Sequence, residues 1–328
     1  MKKGIIFSGM RPTGRLHIGH LSVLNNWLKL QNEYNCFFGI VDWHALTTAF
    51  DHTETIQDNI RMMLLDWLSA GLDPEKSPVF VQSDVKEHGE LHLLLSMITP
   101  LSWLERVPTY KDQIQQLGSQ GKDISTYGFL GYPLLMAADI LVYRSTIVPV
   151  GEDQLPHLEF AREICRRFNY LYKCEIFPEP RAELAKVAML PGVDGRKMSK
   201  SYNNDIPLGA TSAEIWDKVQ MMVTDPARVK KTDPGHPEVC IVHTYHNIYS
   251  ALGIEELRDD CRQGKMGCVA CKKRLAQIIN EQLAPMREKR DFYEQKPELL
   301  AEILAEGARK ARKTAGETME LVRSAMKI

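Results

Sequence analysis

The sequence predicts an α/β fold in which a doubly wound parallel sheet is followed by a second, helical domain. Through the first two hundred residues, short apolar runs alternate with amphipathic stretches at helical spacing. From Thr211 onward the pattern is helical. Strands that alternate with helices pair in parallel, with helices on both faces of the sheet. This Rossmann-like arrangement binds its ligands at the carboxyl ends of the strands, so we expect the functional residues there.

The strand predictions rest on short apolar runs, which are Ile5–Ser8, Cys36–Val41, Val79–Gln82 and Ile147–Val150. The helix predictions rest on apolar residues that recur on one face, and they cover Ile18–Leu30, Thr55–Leu68, Gly89–Ile98 and Tyr132–Tyr143. Trp67 and the neighbouring methionines lie on such a face and are interpreted as core residues.

The helical half opens at Thr211, where Thr211-Ser212-Ala213-Glu214 has the spacing of a capping box. Further helices are predicted at Ile254–Gln263, Cys271–Tyr293 and Glu298–Lys327. We therefore predict a Rossmann-like domain over residues 1–207 and a helical domain over residues 208–297. A C-terminal helix over residues 298–328 can pack back on the first domain.

Composition excludes several classes of protein. Charged residues make up 25% of the 328 residues and hydrophobic residues 44%, which is ordinary for a soluble globular protein. Because no run of eighteen apolar residues exists and the start lacks the pattern of a signal peptide, we expect a cytoplasmic protein that does not span a membrane. The net charge is −1, so any RNA-binding surface must be local.

A glycine-bearing turn follows the first predicted strand, over Gly9–His20. The helix predicted after it offers free backbone N–H groups and the positive end of its dipole to a ligand above the sheet. Gly19 leaves room for a flat ring against the backbone. His17 and His20 can donate hydrogen bonds to phosphate oxygens and so stabilise a pentavalent phosphorus. The alternative is an ordinary loop with two incidental histidines.

A second segment, Pro191–Ser201, is a glycine-bearing loop with two lysines three residues apart, Lys197 and Lys200. A mobile loop with such cations can close on a triphosphate and neutralise charge as pyrophosphate leaves. By itself it could equally be a solvated surface loop.

Together the two segments resemble the signatures of class I aminoacyl-tRNA synthetases. They read His17-Ile18-Gly19-His20 after the first strand and Lys197-Met198-Ser199-Lys200-Ser201 about 180 residues later. The resemblance covers nearly the whole chain and is closest to bacterial tryptophanyl-tRNA synthetases. It extends through three further stretches, which are Ile40–Ala45, Tyr132–Asp139 and Val148–Gln154.

The resemblance implies a role for each matching residue. It assigns the ATP site to Arg11, Pro12, Thr13, Gly19, His20, Gly151, Glu152, Asp153, Lys197, Met198, Ser199, Lys200 and Ser201. It assigns the tryptophan site to His44, Tyr132, Met136, Asp139 and Gln154, with Asp139 accepting the indole N–H. It assigns catalysis to His17, His20, Lys111, Lys197 and Lys200. Arg11 departs from the pattern, since many members have Gln there, and it adds a cation beside the triphosphate.

The reaction implied has two steps. The carboxylate of L-tryptophan attacks the α-phosphorus of ATP, bound with Mg²⁺, and the activated tryptophan is then transferred to the terminal ribose of tRNA(Trp). No side chain needs to act as a nucleophile, so catalysis consists of positioning and charge stabilisation. The resemblance also implies a homodimer.

Two other functions remain open at this point. A tyrosyl-tRNA synthetase shares both signatures, but a tyrosine-specific site typically has Gln where this chain has Met136. A catalytically inactive, RNA-binding paralogue is the second alternative. Intact His17, His20, Lys197 and Lys200 argue against it.

The cysteines form two sets. Cys36, Cys165 and Cys174 are interpreted as packed or surface thiols and not as ligands. Cys240, Cys261, Cys268 and Cys271 have twenty, six and two intervening residues and end in a C-x2-C pair. Separate buried thiols are one interpretation of this second set, and a reducing compartment disfavours disulfides. A site with four thiolates suits either zinc or an iron–sulfur cluster.

Only one pair in this set is short, which disfavours zinc. A subset of bacterial tryptophanyl-tRNA synthetases has a similar arrangement that holds a [4Fe-4S] cluster, so the resemblance favours that cluster with a structural role. It also implies that residues 208–297 bind the anticodon. Basic residues beside the cysteines could then offset cluster charge and meet tRNA phosphates; they are Lys265, Lys272, Lys273 and Arg274.

Overall fold

The computed structural model describes residues 2–107, 124–184, 190–250 and 253–328. Its sheet has strands β1 (Ile5–Met10), β2 (Asn35–Ile40), β3 (Val79–Val81), β4 (Ile147–Val150) and β5 (Arg181–Leu184). All four pairings are parallel, in the order β3-β2-β1-β4-β5. The predicted parallel α/β sheet is confirmed. Strand β5 was not predicted, because Arg-Ala-Glu-Leu contains no apolar run.

The strand order reverses at β1, with β2 and β3 on one side of it and β4 and β5 on the other. Chains leave β1 and β4 in opposite directions around the sheet, which opens a crevice at their carboxyl ends. At the end of β1, a Cβ atom on Gly9 would lie 2.7 Å from Val41 Cγ1, so a glycine is needed for the close approach of these two segments. The crevice is therefore bounded by residues 9–20 and by residues 151–154.

Four helices of the first half match the predictions to within a few residues, and the other four, α2, α5, α6 and α8, were not predicted. They are α1 (Leu21–Glu33), α2 (Asp42–Ala49), α3 (Ile56–Ser69), α4 (Glu87–Ser96), α5 (Leu101–Glu105), α6 (Tyr127–Leu130), α7 (Tyr132–Leu141) and α8 (Leu155–Tyr172). One detail differs from the prediction: Ile18–His20 forms a 3-10 turn, and the α-helix begins only at Leu21.

The second half is helical, as predicted. Its helices are α9 (Ser212–Met221), α10 (Ile241–Tyr249), α11 (Ile254–Arg262), α12 (Cys268–Glu294) and α13 (Pro297–Met326). The predicted capping box is confirmed, since the Thr211 hydroxyl accepts from the Glu214 N–H at 3.2 Å and the Glu214 carboxylate accepts from the Thr211 N–H at 2.7 Å. Helix α10 was not predicted, because its Ile, Val, Thr and Tyr residues have low helix propensity.

Each face of the sheet has its own hydrophobic core, as the alternation of side chains along a strand requires. On one face Phe38 and Trp67 pack with Leu275 and Ile279 of α12, so the helical half shares this core. On the other face Phe7 and Tyr143 pack with α13, whose buried side chains are Ala308, Ala311, Ala315, Met319 and Val322. Within the described residues, no helix is long and apolar enough to cross a membrane.

Candidate active site

A cavity lies at the carboxyl ends of β1 and β4. Its lining includes residues of both strand ends and of helices α2 and α7, among them Ser8, Gly9, Arg11, His44, Tyr132, Met136, Asp139, Gly151 and Gln154. The structure therefore brings together all five residues that the resemblance placed at the tryptophan site. Tyr132 packs edge-on against the ring of His44, with centroids 4.7 Å apart, and forms one wall.

Asp139 lies at the bottom of this cavity and is 1% exposed. Its Oδ1 accepts from the Gln82 amide and from His88 Nδ1, each at 2.7 Å. Its Oδ2 accepts from His44 Nε2 at 2.9 Å. Burial opposes ionisation, but the neighbouring His88 and His44 outweigh it and lower the pKa of Asp139 to about 2. The carboxylate is charged near neutral pH and can only accept hydrogen bonds.

A carboxylate has about four lone-pair positions, so these three donors leave Asp139 one position for a ligand. His88 connects this carboxylate to Tyr143, since its Nε2 lies 2.7 Å from the Tyr143 hydroxyl. Because His88 Nδ1–H donates to Asp139, His88 Nε2 accepts from Tyr143 O–H. The Tyr143 ring is stacked against Phe37 and Phe7, with centroids 4.4 and 5.5 Å apart.

The histidines of the first signature segment face one another, with ring centroids 3.9 Å apart. His20 Nδ1 lies 3.2 Å from the backbone nitrogen of His17 and 3.3 Å from the His17 carbonyl oxygen. Burial lowers the pKa of both His17 and His20 to about 4, so both are neutral near pH 7. They can therefore serve as hydrogen-bond donors and not as cations. A Cβ on Gly19 would lie 2.9 Å from His17 Nδ1, so the turn requires a glycine.

The second signature segment lies against the first. Lys200 Nζ donates to the backbone oxygen of Thr13 at 2.7 Å, and burial lowers the pKa of Lys200. Met198 is buried with its sulfur beside Gly19, while Lys197 is exposed. The two segments, about 180 residues apart in sequence, thus form one site.

Asn204, which was not predicted, organises this second segment. It is 1% exposed, and its amide donates to Asp194 Oδ1 at 2.8 Å and to the Lys197 carbonyl at 3.2 Å. Its Oδ1 accepts from the Ser199 N–H at 2.7 Å. A Cβ on Gly192 would lie 2.2 Å from Asn204 Nδ2, so the glycine makes room for this amide. The sequence shows only an asparagine three positions after Ser201, and its burial becomes visible in the structure.

Three of the remaining predicted residues, Pro12, Glu152 and Asp153, are sequence neighbours of the cavity-lining residues Arg11, Gly151 and Gln154. Pro12, which follows β1, is buried. Glu152 lies in the turn that follows β4 and is exposed. Asp153 is exposed and accepts from the Gln154 amide at 2.7 Å. Ser201 lies in the turn Lys200–Tyr202. Lys111 falls outside the described residues.

Cys240, Cys261, Cys268 and Cys271 line one small apolar pocket in the helical half, together with Thr224, Arg228, Val242 and Met266. Arg228 Nη1 lies 3.9 Å from the sulfurs of both Cys261 and Cys268, so those sulfurs are at most twice that distance apart. Burial, followed by the nearby cysteines, raises the pKa of Cys271 to about 12. Across the described ranges, no group of three or more His, Cys, Asp or Glu side chains has the arrangement of a metal site.

The other cysteines are separate. Cys36 and Cys165 are buried, and burial raises the pKa of each thiol to about 12. Cys174 is half-buried. Two of the three thiols are thus packed in the core, and the third is partly exposed.

Comparison with known proteins gives consistent matches. The profile of the family described as tRNA synthetases class I (W and Y) matches residues 1–284. A tryptophan–tRNA ligase of Thermotoga maritima is 51% identical over 328 residues, covering 98% of this chain and 99% of the relative. One of Aquifex aeolicus is 43% identical, covering 98% and 99%. The solved tryptophanyl-tRNA synthetase of Campylobacter jejuni, complexed with ADP and tryptophan, has a TM-score of 0.89 and 35% identity, covering 99% of this chain and 100% of that one.

Proposed function

Because this chain belongs to the class I tRNA synthetases (W and Y), among the tryptophan–tRNA ligases, we propose that the cavity at Asp139 binds L-tryptophan and the adjoining signature segments bind ATP. The tryptophan carboxylate attacks the α-phosphorus, which gives tryptophanyl-adenylate and pyrophosphate. The terminal ribose of tRNA(Trp) then attacks the activated carbonyl and releases AMP. ATP enters as its Mg²⁺ complex.

The observation that carries this proposal is the single free acceptor position on Asp139. An indole N–H donates to it and needs nothing more. A phenol can donate as well, but its oxygen also needs a donor, and the nearby donors of Gln82, His88 and His44 are already committed to Asp139. Met136 has only a thioether, which packs well on an aromatic face. We expect an incompletely bonded hydroxyl and a void to cost tyrosine about 2–4 kcal/mol.

An ATP–pyrophosphate exchange assay with each of the twenty amino acids tests the function. We expect exchange with tryptophan, and a kcat/KM for tyrosine lower by at least roughly a hundredfold. Exchange that is equal with both amino acids would contradict the specificity, and no exchange with any amino acid would leave the inactive paralogue. Met136→Gln adds a polar partner for a phenol, so this variant should have a smaller ratio of kcat/KM for tryptophan to kcat/KM for tyrosine.

The proposed ATP site rests on the hydrogen-bond donors and positive charges of the two signature segments. Neutral His17 and His20 donate hydrogen bonds to phosphate oxygens, while Lys197 and Lys200 supply positive charge as pyrophosphate departs. Lys200 Nζ donates to the Thr13 carbonyl and has further N–H donors for a phosphate. Asp153, exposed at the cavity mouth, is placed to accept from ribose hydroxyls. No side-chain nucleophile takes part.

We also propose that the four cysteines of the helical half hold a [4Fe-4S] cluster, with zinc as the alternative. Support comes from their shared apolar pocket and from the Arg228 guanidinium beside two of the sulfurs. A zinc ion needs all four sulfurs at about 2.3 Å from one point. In a cluster each sulfur binds a different iron, so wider spacing is suitable. The bound cluster would supply a structural cross-link, and no step of the reaction requires electron transfer.

Metal analysis of protein purified without oxygen tests this site. We expect a brown protein with iron and sulfide, and broad absorption at about 400 nm as is general for iron–sulfur clusters. Cys268→Ser should lose the colour, and Cys165→Ser, which changes a packed thiol elsewhere, should keep it. A colourless protein with one zinc per chain would contradict the cluster and leave the four-cysteine site in place.

Two further partners are proposed. Lys265, Lys273 and Arg274 are exposed near the cysteines and are available to tRNA phosphates. A homodimer is supported by large apolar side chains that are exposed close together, at Leu93 and Met97 and on the following helix. Since tRNA and ATP are used in the cytoplasm, we propose that location.

A further inference from the structure

Asp66 on α3 is a buried carboxylate that no step above uses. It is 1% exposed, and its Oδ2 accepts from the backbone N–H of Leu16 at 2.6 Å. Its Oδ1 accepts from the guanidinium of Arg290, which belongs to α12. Leu16 directly precedes His17, so this carboxylate is one residue away from the first signature segment.

The chain at residues 16–18 is held by few bonds. It lies between β1 and α1, and its buried N–H groups need acceptors. His17 N–H bonds within the signature segment, to His20 Nδ1. Three bonds join residues 16–18 to other parts of the protein: Leu208 N–H donates to the Leu16 carbonyl and Ile18 N–H donates to the Ile206 carbonyl, each at 2.9 Å, and Leu16 N–H donates to Asp66. Without the last bond the N-terminal end of the signature segment would have a buried N–H with no acceptor.

Arg290 is built into this contact. It is 7% exposed, and its Nη2 lies 3.1 Å from the Met62 sulfur. A Cβ on Gly209 would lie 2.9 Å from Arg290 Cδ, so the glycine leaves space for this side chain. Burial raises the pKa of Asp66, while Arg290 and the Leu16 N–H act in the opposite direction. The arginine therefore favours the charged, accepting form of the carboxylate.

Arg290 also ties the site to the far end of its own helix. Helix α12 has 27 residues and begins at Cys268, so it extends over about 40 Å at the usual rise per residue. Two of the four cysteines lie in its first turn, and Arg290 lies in its last turns. Arg290 and Asp66 thus connect α12 directly to the Leu16 N–H.

We propose that Asp66 is a positioning residue for amino-acid activation, which holds the His17–His20 segment in place through the Leu16 N–H, and that Arg290 of the helical half keeps it in that role. The inference rests on the proposed binding of ATP by this segment. It makes the position of α12 a determinant of activation and not only of tRNA binding.

Two double variants test the proposal. Both contain Arg290→Met, which removes the ion pair, and they differ at position 66. Asp66→Asn keeps an oxygen for the Leu16 N–H, and Asp66→Ala does not. Adenylate formation is measured in single turnovers, normalised to the burst of tryptophanyl-adenylate, with the KM values for ATP and tryptophan. Relative to the Asn double variant, we expect the Ala double variant to form adenylate about tenfold more slowly or to have an ATP KM about tenfold higher. The tryptophan KM values of the two variants should agree within about twofold.

A role in folding alone predicts equal rates per active site for the two double variants, and that result would overturn the proposal. If the Ala double variant does not fold, Arg290→Met alone takes its place. It leaves an unpaired buried carboxylate, so it should be slower than the Asn double variant, and equal rates would again overturn the proposal. Arg61→Gln is the matched control, because Arg61 and Glu294 join the same two helices at the surface, 3.8 Å apart. It should match the wild type.

The wild-type protein separates this inference from the function on which it rests. Absence of tryptophan-dependent exchange in the wild type would remove both. Normal wild-type exchange together with equal double variants would remove only the role of Asp66 and Arg290.

Discussion

Lys200→Ala is expected to slow tryptophanyl-adenylate formation by about a hundredfold to a thousandfold, the range typical for loss of one group that stabilises charge in a transition state. In the structure the ammonium is bonded to the Thr13 carbonyl, beside both signature histidines. Since His17 and His20 are neutral near pH 7, they cannot replace the lost positive charge. The measurement is single-turnover formation of the adenylate at saturating ATP.

Tryptophan binding should change little in this variant, with a KM within about threefold, because the amino acid is proposed to bind on the Asp139 side of the cavity. Arg196→Ala is the matched control. Arg196 is an exposed cation of the same loop, paired with Asp194, and it has no part in the site. The Arg196→Ala variant should form adenylate at a rate within about threefold of the wild-type rate. An unchanged single-turnover rate in Lys200→Ala would show that this loop does not act on the phosphates.

Asp139→Asn is expected to raise the tryptophan KM by about a hundredfold, since a buried donor without an acceptor costs up to about 3 kcal/mol. The amide has one accepting oxygen where the carboxylate has two. With that oxygen turned to Gln82 and His88, the NH₂ group faces His44 and the indole N–H, and a donor meets a donor. The opposite orientation would turn the NH₂ group toward the Gln82 amide and His88 Nδ1, the two groups that now donate to one carboxylate oxygen.

A tryptophan analogue without the indole N–H sharpens this test. As a competitive inhibitor of the wild type it should bind much more weakly than tryptophan, whereas Asp139→Asn should bind the two almost equally. Asp42→Asn is the control, because Asp42 is a buried carboxylate near His44 that does not line the cavity and accepts from Ser83 N–H through one oxygen. If Asp139→Asn still prefers tryptophan over the analogue as strongly as the wild type, the indole does not donate to this residue.

The sheet and both signature segments could be predicted because their signals are local. Buried parallel strands are continuous apolar runs, as in Cys36–Val41, and helix α3 repeats its apolar residues at helical spacing. The cavity itself followed from the rule that ligands bind at the carboxyl ends of such strands. Asp139 was assigned from the resemblance, and its place in the cavity agrees with that assignment.

The rest of the site could not be predicted, because it depends on contacts between distant residues. Gln82 and His88 approach Asp139 from elements 57 and 51 residues away in sequence. Asp66 was passed over inside a helix interpreted as core, where its neighbour Trp67 indeed belongs. Its partner Arg290 lies 224 residues further on. Nothing in the local spacing indicates which buried polar residue meets which.

The packing of α13 has a consequence for the state of the protein before folding is complete. Strand β3 is at an edge of the sheet; its neighbour β2 uses the Pro78 carbonyl, and the Val79 carbonyl points the other way. A Cβ on Gly307 would lie 1.9 Å from that carbonyl oxygen, so the glycine backbone of α13 covers the open edge directly. An uncovered edge strand is a template for pairing with another chain. A nascent or truncated chain without α13 would expose Val79–Val81 in this way. We expect such a chain to aggregate by pairing of its β3 edge with another chain.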